Sequence, residues 1–181
     1  MNIAIFGGSF DPPHIAHEEI VKSLIQIEDI NKIYVVPTYL SPFKDKYHLE
    51  PNQRFSLLSS LFENSQKVEV FDFEIQQNRA VPTIETVRYI KEKYAPETIY
   101  LVIGADNLKS LHLWNDFEEL KNSVEFIVIQ REGYEVKNDI IQFKTINMDI
   151  DISSTLLRDN FDLKYIPKKI QQKVKNIWKK E

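Results

Sequence analysis

Short apolar runs alternate along the chain with longer stretches in which apolar residues recur at helical spacing. The runs predict strands, at residues 2–6, 32–36, 67–74, 98–103, 124–129 and 141–146. The longer stretches predict helices, from residue 15 onward, at residues 51–62 and 83–94 and, as a single turn, at 116–120. Strands that alternate with helices favour an α/β fold with one open, mostly parallel sheet and helices on both faces.

Glycine is scarce in this chain and is placed at the ends of predicted strands. Only four glycines occur, and Gly7, Gly8 and Gly104 each follow such a strand directly. In parallel sheets, ligands bind beyond the carboxyl ends of the strands, and glycine lets the backbone approach a ligand closely. The polar loop at residues 38–50 is also long for a connection, and loops of that length are usually functional. We therefore expect a binding site at this edge of the sheet.

The turn after the first strand, residues 7–17, contains two histidines and reads GGSFDPPHIAH. His14 and His17 are three residues apart at a helix start, so both imidazoles lie on one face, beside the positive end of the helix dipole. That arrangement suits the anionic oxygens of a phosphate. The turn lacks the G-x-G-x-x-G of dehydrogenases and the G-K-[ST] that closes a P-loop. Zinc is the rival explanation of H-x-x-H, but beyond Asp11 no further ligand lies nearby in the sequence.

A second pattern typical of phosphate binding follows the last predicted strand, at residues 152–158, and reads ISSTLLR. Serine and threonine at a helix start leave backbone donors and hydroxyls that can face an anion. Arg158 lies one turn beyond Ser154 and Thr155, so its guanidinium can reach the same anion. Taken alone, the pattern fits an N-cap with a surface arginine equally well. Two such helix starts in one α/β chain favour a polyphosphate ligand.

Composition is that of a soluble chain with one domain, residues 1–181. The apolar share of 43% and the charged share of 28% lie close to globular averages. No apolar run approaches the roughly 18 residues that a transmembrane helix needs, so no membrane partner is expected. The absence of cysteine excludes disulfides and thiolate nucleophiles and fits a cytoplasmic location.

Charge is distributed unevenly along the chain. The formal net charge is -4, yet residues 164–181 contain seven lysines and one glutamate. Such a basic end raises the alternative of a nucleic-acid-binding module. Apolar residues nevertheless recur there on one helical face, at Ile166, Ile170, Val174, Ile177 and Trp178. We therefore predict a packed C-terminal helical segment with solvated lysines, and no nucleic-acid partner.

Together these motifs resemble those of the nucleotidyltransferase superfamily, with its (H/T)-x-G-H and I-S-S-T-x-x-R signatures, and most closely the nicotinate mononucleotide adenylyltransferases. Further matching positions are Pro42, Phe43, Lys44, Thr83 to Thr86, the IGAD segment at residues 103–106, and Trp114. Two departures stand out, because Ala16 replaces a glycine between the histidines and Val81-Pro82 stands where the family commonly has Ser-Tyr. The resemblance implies a Rossmann-like, nucleotidyltransferase-type fold.

The resemblance also implies an activity, in which the adenylyl group of ATP passes to nicotinate mononucleotide and gives deamido-NAD and pyrophosphate. It implies catalytic roles for His14, His17, Lys44 and Arg158. Contacts to ATP are expected from Gly7, Gly8, Ser9, Phe10, His14, His17, Gly104, Asp106, Ile152, Ser153, Ser154, Thr155 and Arg158. Contacts to the mononucleotide are expected from Ser9, Lys44, Thr83, Thr86 and Trp114. Mg²⁺ is expected to arrive bound to the ATP phosphates, not in a cage of carboxylates.

Several alternatives stay open at this stage. A sister enzyme could use phosphopantetheine or nicotinamide mononucleotide as its acceptor, or could make a CDP-alcohol. A non-catalytic nucleotide sensor could have the same fold and motifs. Neither the preference for nicotinate over nicotinamide mononucleotide nor the assembly of subunits into a homo-oligomer follows from the residues.

Overall fold

The computed structural model describes residues 1–41, 46–131, 138–150 and 152–178. Six strands occur in this part of the chain: β1 (Asn2–Gly8), β2 (Lys32–Pro37), β3 (Val68–Val70), β4 (Thr98–Gly104), β5 (Glu125–Arg131) and β6 (Phe143–Met148). The α-helices are α1 (Ile15–Ile25), α2 (Pro51–Phe62), α3 (Phe73–Gln76), α4 (Thr83–Tyr94), α5 (Phe117–Ser123), α6 (Ser154–Asp159) and α7 (Gln171–Trp178). Short 3₁₀ turns lie at Ala105–Asn107, Leu111–Leu113, Leu163–Tyr165 and Lys168–Ile170.

The six strands form one sheet in the order β3-β2-β1-β4-β5-β6, and every neighbouring pair is parallel. The chain builds outward from β1 to β2 and β3, and then crosses back to place β4 on the other side of β1. Strand order therefore reverses between β1 and β4. In open parallel sheets, such a reversal leaves a crevice beyond the carboxyl ends of the two strands, where ligands bind.

Side chains of each strand alternate between two hydrophobic cores, one on each face of the sheet. On β1, Ala4 and Phe6 belong to the core covered by α1, α2, α6 and α7. Ile3 and Ile5 belong to the opposite core, which α4 and α5 cover. The central strands are apolar on both faces for this reason, as is typical of parallel sheets.

The sequence predicted five of the six strands and the main helices to within two residues at most ends. The segment 67–74 is the exception, because only Val68–Val70 pairs in the sheet and residues 73–76 form the helix α3. The alternation of apolar residues there arises because Phe71 and Phe73 both pack on the α4 side of the sheet. After Phe71, whose amide donates to the Val35 carbonyl, the chain turns away, and the Gln76 amide donates to the Asp72 carbonyl at 3.0 Å.

The lysine-rich C-terminal segment packs against the α1/α2 core, as its apolar spacing predicted. Ile166, Ile170 and Val174 are fully buried, and Trp178 stacks on Phe161 with ring centroids 4.5 Å apart. The segment is helical only from Gln171, because residues 168–170 form a 3₁₀ turn. Among the described residues, no helix has the length and apolarity needed to cross a bilayer.

The buried face of α2 provides a test of how the core is built. Leu58 has no exposed surface, whereas Leu113 is 72% exposed. We expect Leu58→Ala to lower the free energy of unfolding by about 2–5 kcal/mol, because it leaves a cavity. The same substitution at Leu113 should change it by less than about 0.5 kcal/mol. Urea unfolding of both variants measures this, and equal losses would contradict the packing described here.

Candidate functional site

The carboxyl ends of β1 and β4 meet at the point where strand order reverses. Phe6 pairs with Val102 in register, so Gly8 and Gly104 end these strands side by side. A Cβ atom on Gly104 would collide with Oδ1 of Asp106, which lies exposed in the following 3₁₀ turn. Glycine at this position is therefore required for the Asp106 carboxylate to fold back over the strand end.

The turn that follows β1 is held by a buried aromatic ring. Phe10 has a left-handed backbone, with φ 49°, yet is only 1% exposed. Its ring packs edge-on against Phe6 and His17, with centroids 5.4 and 4.8 Å apart. A Cβ atom on Gly8 would come within 3.2 Å of this ring. Because the Phe10 side chain is buried in the core, Phe10 can contact a ligand only through its backbone. The Asp11–Pro12 peptide bond in this turn is cis.

The two histidines at the start of α1 are fixed relative to each other. The backbone N–H of His14 donates to Nδ1 of His17 at 3.1 Å, and the two rings stack with centroids 3.6 Å apart. With Nδ1 acting as an acceptor, the proton of neutral His17 resides on Nε2. His17 can therefore donate a hydrogen bond from Nε2 to a ligand oxygen.

The pKa of His17 is lowered well below its usual value, first by burial and second by the neighbouring His14 ring. His17 is therefore neutral near pH 7 before any ligand arrives. An approaching polyphosphate would offset both effects, because negative charge favours the imidazolium form. The site thus provides a hydrogen-bond donor that can also take up positive charge as anionic oxygens come near.

The start of α6 lies directly against the turn that follows β1. Nη1 of Arg158 donates to the backbone carbonyl of Asp11 at 2.7 Å, and Oγ of Ser154 donates to that of Pro12 at 3.1 Å. The two sequence motifs, far apart along the chain, are therefore neighbours in space. The starts of α1 and α6 therefore lie side by side at the β1–α1 turn.

The hydroxyls of α6 are more fully used within the protein than the sequence indicated. Oγ of Ser153 accepts a hydrogen bond from the Leu156 amide, so it caps the helix. Oγ1 of Thr155 accepts a bond from Nη2 of Arg158 at 3.0 Å. Ile152 is buried in the core, 5% exposed. The groups best placed to meet an anion here are the Thr155 hydroxyl and the remaining guanidinium N–H groups of Arg158.

A buried arginine on α2 ties the long loop to the same turn. Arg54 is 1% exposed and donates to the carbonyls of Ser9 and Thr38, both at 2.7 Å. It also donates to the carbonyls of Tyr39, at 2.9 Å, and Leu49, at 3.0 Å. Burial lowers the pKa of Arg54, while nearby Asp11 acts in the opposite direction.

Asp11 connects the turn to the C-terminal end of the long loop. Its two carboxylate oxygens accept the backbone amides of His48 and Leu49, at 2.8 and 2.7 Å. Both ends of the loop are therefore fixed to the β1–α1 turn. Asp11 is itself 3% exposed, so the carboxylate lies inside the protein, where it fixes the loop.

The residues expected on the acceptor side lie around α4. Thr83 begins this helix and is half-buried, and the helix start has no side-chain cap. Thr86 is 1% exposed, and its hydroxyl donates to Oε1 of Glu74 at 2.8 Å. Trp114 is half-buried on the same side of the sheet, and no described residue bonds its Nε1. Thr86 is therefore a buried residue behind the helix start, and Thr83 is the more accessible of the two.

The structure brings together the predicted residues of the two phosphate motifs around the end of β1. These are Gly7, Gly8, Ser9, Phe10, His14, His17, Ile152, Ser153, Ser154, Thr155 and Arg158. Gly104 and Asp106 adjoin them at the end of β4. Thr83, Thr86 and Trp114 lie with the core on the opposite face of the sheet. Lys44 lies outside the described residues.

Sequence reasoning missed Arg54 and Glu74, both buried charged residues. Arg54 gave no signal, because its partners are backbone carbonyls of residues scattered along the chain. Glu74 was included in a predicted strand. Among the described residues, no group of three or more His, Cys, Asp or Glu side chains is arranged to hold a metal ion. The donors around the turn are imidazoles, a guanidinium and backbone amides, which are groups suited to phosphate oxygens.

The family model described as cytidylyltransferase-like matches residues 5–160 of the chain. A protein of Aliarcobacter butzleri named probable nicotinate-nucleotide adenylyltransferase is 49% identical over 178 residues, which cover 98% of this chain and 97% of that protein. A protein of Sulfurimonas denitrificans with the same name is 45% identical, covering 99% and 96%. Similarity to both relatives therefore spans the whole chain.

A solved structure is also similar to this chain over nearly its full length. Nicotinic acid mononucleotide adenylyltransferase from Plasmodium falciparum, complexed with NaAD, matches with a TM-score of 0.82 and 25% identity. The match covers 97% of this chain and 95% of that one. The six-stranded parallel sheet and its surrounding helices are thus those of a known nucleotidyltransferase structure.

The bonds of Arg54 lead to a prediction about the loop. In Arg54→Lys the charge remains, but one ammonium cannot reach four carbonyls, so buried acceptors lose their partners. We expect a loss on the order of 3 kcal/mol in the free energy of unfolding. Arg79→Lys is the matched control, since Arg79 is half-exposed and pairs with Glu85 at the surface, and it should have little effect. If urea unfolding shows both variants equally stable, Arg54 does not hold the loop.

Proposed function

We infer that this chain, which belongs to the nicotinate-nucleotide adenylyltransferase family, transfers the adenylyl group of ATP to nicotinate mononucleotide and produces deamido-NAD and pyrophosphate. The observation on which this depends is the contact between the two phosphate motifs, through the bonds of Arg158 and Ser154 to the β1–α1 turn. Full-length identity of 49% to a relative of that name supports the same activity.

The reaction itself requires little covalent chemistry from the protein. An oxygen of the acceptor phosphate forms a bond to the α-phosphorus of ATP, and the bond from that phosphorus to the β-bridging oxygen breaks. Pyrophosphate leaves with the electron pair. The attacking phosphate is already anionic, so catalysis reduces to positioning and to stabilising the charge that develops.

On the ATP side, we assign the triphosphate to the turn after β1 and the start of α6. His17 donates Nε2–H to the α-phosphate, where charge develops, and His14 holds His17 in that tautomer through its backbone N–H. Arg158 and Thr155 bind the β- and γ-phosphates of the leaving group. Asp106, beside Gly104, binds the ribose. Lys44 would add a positive charge from the long loop.

On the acceptor side, we assign the mononucleotide to Ser9, Thr83, Thr86 and Trp114, and the resemblance adds Lys44 to this set. The start of α4 has no side-chain cap, so its first amides suit an anionic group of the acceptor. Trp114 offers an apolar surface on which the pyridine ring can stack. The acceptor approaches the crevice from the α4 side, and ATP from the α1/α6 side.

Mg²⁺ enters this scheme as part of the substrate. The residues around the turn supply cationic and N–H donors, and both Asp11 oxygens are occupied by amides. These residues fit a metal that is bound by phosphate oxygens and water, and Mg²⁺ characteristically keeps such ligands. It would neutralise charge on the leaving pyrophosphate. We further propose a cytoplasmic location. We also propose that the protein has no nucleic-acid partner, since the lysine-rich segment buries its apolar face in the core.

The activity is tested by incubating the protein with ATP and Mg²⁺ and one acceptor at a time. Nicotinate mononucleotide, nicotinamide mononucleotide and phosphopantetheine distinguish the sister enzymes, and CTP with an alcohol phosphate tests the cytidylyl alternative. We expect deamido-NAD and pyrophosphate by mass spectrometry, with the highest kcat/KM for nicotinate mononucleotide. Binding of ATP without any product would instead favour a nucleotide sensor.

Replacing His17 tests the assigned donor. We expect His17→Ala to fold normally and to lose on the order of 10²-fold or more in kcat, the effect of removing one transition-state donor. His112→Ala is the control, because His112 is exposed in the 3₁₀ turn Leu111–Leu113 and should keep wild-type turnover. Unchanged kcat in His17→Ala would remove this residue from the mechanism.

A further inference from the structure

A buried carboxyl group lies behind the start of α4. Glu74, on α3, is 5% exposed, and its Oε1 accepts the Thr86 hydroxyl at 2.8 Å. Its Oε2 is buried and has no hydrogen-bond partner among the described residues. If Glu74 is ionised, only one of its two oxygens has a hydrogen-bond partner. Burying a charge that is stabilised so incompletely is unfavourable.

Neither protonation state of Glu74 dominates strongly near neutral pH. Burial is the main cause that raises the pKa of Glu74 to about 7; the hydrogen bond from Thr86 opposes this shift, and the nearby charge of Glu85 adds a smaller increase. The carboxyl is therefore neutral in mildly acidic solution and ionised in mildly basic solution. This behaviour is unusual for a glutamate, whose ordinary pKa is about 4.3.

The charged groups around Glu74 do not neutralise it. On α4, Glu85 is held by Arg79 at 3.2 and 2.5 Å, so that arginine is already paired. Preceding α3, Asp72 accepts the side-chain amide of Gln76. On β2, the Tyr34 hydroxyl interacts with Tyr94 and Glu69. Within the described part of the chain, no Lys, Arg or His forms an ion pair with Glu74.

We propose that Glu74 is a specificity-determining residue for the acceptor, setting how much negative charge the α4 side of the crevice presents to a carboxylate on the pyridine ring. The inference rests on the proposed function, since Thr86 and Thr83, one turn apart on α4, are its acceptor-side residues. Glu74 contacts the first of them and acts through it. When Glu74 is neutral, nicotinate mononucleotide can bind without repulsion. When Glu74 is ionised, its charge repels the carboxylate on the pyridine ring and weakens binding.

The two pyridine mononucleotides separate this effect from others. Both carry the same phosphate, whose own titration affects their binding equally. Only nicotinate mononucleotide carries a ring carboxylate, while the amide of nicotinamide mononucleotide is neutral. The ratio of KM for the first to the competitive inhibition constant of the second therefore isolates the interaction with the ring substituent.

The experiment measures this ratio from pH 6 to 8.5 in the wild type and in Glu74→Gln. The Gln side chain retains an oxygen that accepts the Thr86 hydroxyl but has no charge. In the wild type we expect the ratio to rise on the order of threefold to tenfold through pH 7, as for a partly screened charge pair. In Glu74→Gln the ratio should stay at its low-pH value throughout.

Glu85→Gln is the matched control, because it removes a half-exposed charge from the same turn of α4. It should keep the rise in the ratio, moved to lower pH, since Glu85 raises the pKa of Glu74. A flat ratio in the wild type, or an unchanged rise in Glu74→Gln, would overturn the proposal. A wild type that makes no deamido-NAD would instead refute the proposed function.

Thermal unfolding gives an independent measurement. Because the folded pKa of Glu74 lies above its unfolded value, its contribution to stability is complete below about pH 4.3 and is lost as pH rises through about 7. We therefore expect the melting temperature of Glu74→Gln relative to wild type to increase over this interval. A constant difference would show that Glu74 does not titrate there, and would also overturn the proposal.

Discussion

Two hydrogen bonds from α6 to backbone carbonyls of the β1–α1 turn, at Asp11 and Pro12, join the two motifs to which we assign polyphosphate binding. The bond between Arg158 and Asp11 joins residues 147 positions apart. It fixes where the start of α6 lies relative to the β1–α1 turn. Arg158 bonds to the Asp11 carbonyl through Nη1 and to the Thr155 hydroxyl through Nη2, and its remaining N–H groups are the ones that we assign to the ligand.

Two buried charged residues, Arg54 and Asp11, lie at the β1–α1 turn, and their partners are mostly backbone groups. Arg54 donates to four carbonyls and Asp11 accepts two amides, so both ends of the long loop are fixed to this turn. Buried charges are tolerated when every hydrogen-bonding position is satisfied, and they then specify one arrangement. This rigidity suits a reaction that depends on placing two phosphates, because positioning provides much of the catalysis.

The sequence predicted the fold and the starts of α1 and α6 because each depends on local signals. Apolar runs mark the strands, helical spacing marks α2 and α4, and the ISSTLLR pattern marks a helix start. The role of Arg54 depends instead on carbonyls at Ser9, Thr38, Tyr39 and Leu49, and a carbonyl has no signature in the sequence. Glu74 was assigned to a strand because four alternating residues cannot distinguish a strand end from a short helix that buries the same face.

The residues that we assign to the polyphosphate come from the two ends of the chain, with His14 and His17 near the N-terminus and Ser154 to Arg158 near the C-terminus. Ribosomes synthesise a protein from its N-terminus at about 5–20 residues per second, so His14 and His17 are made many seconds before Arg158. A polypeptide released before residue 158 lacks the guanidinium that bonds to the Asp11 carbonyl, so only chains translated as far as α6 contain both motifs.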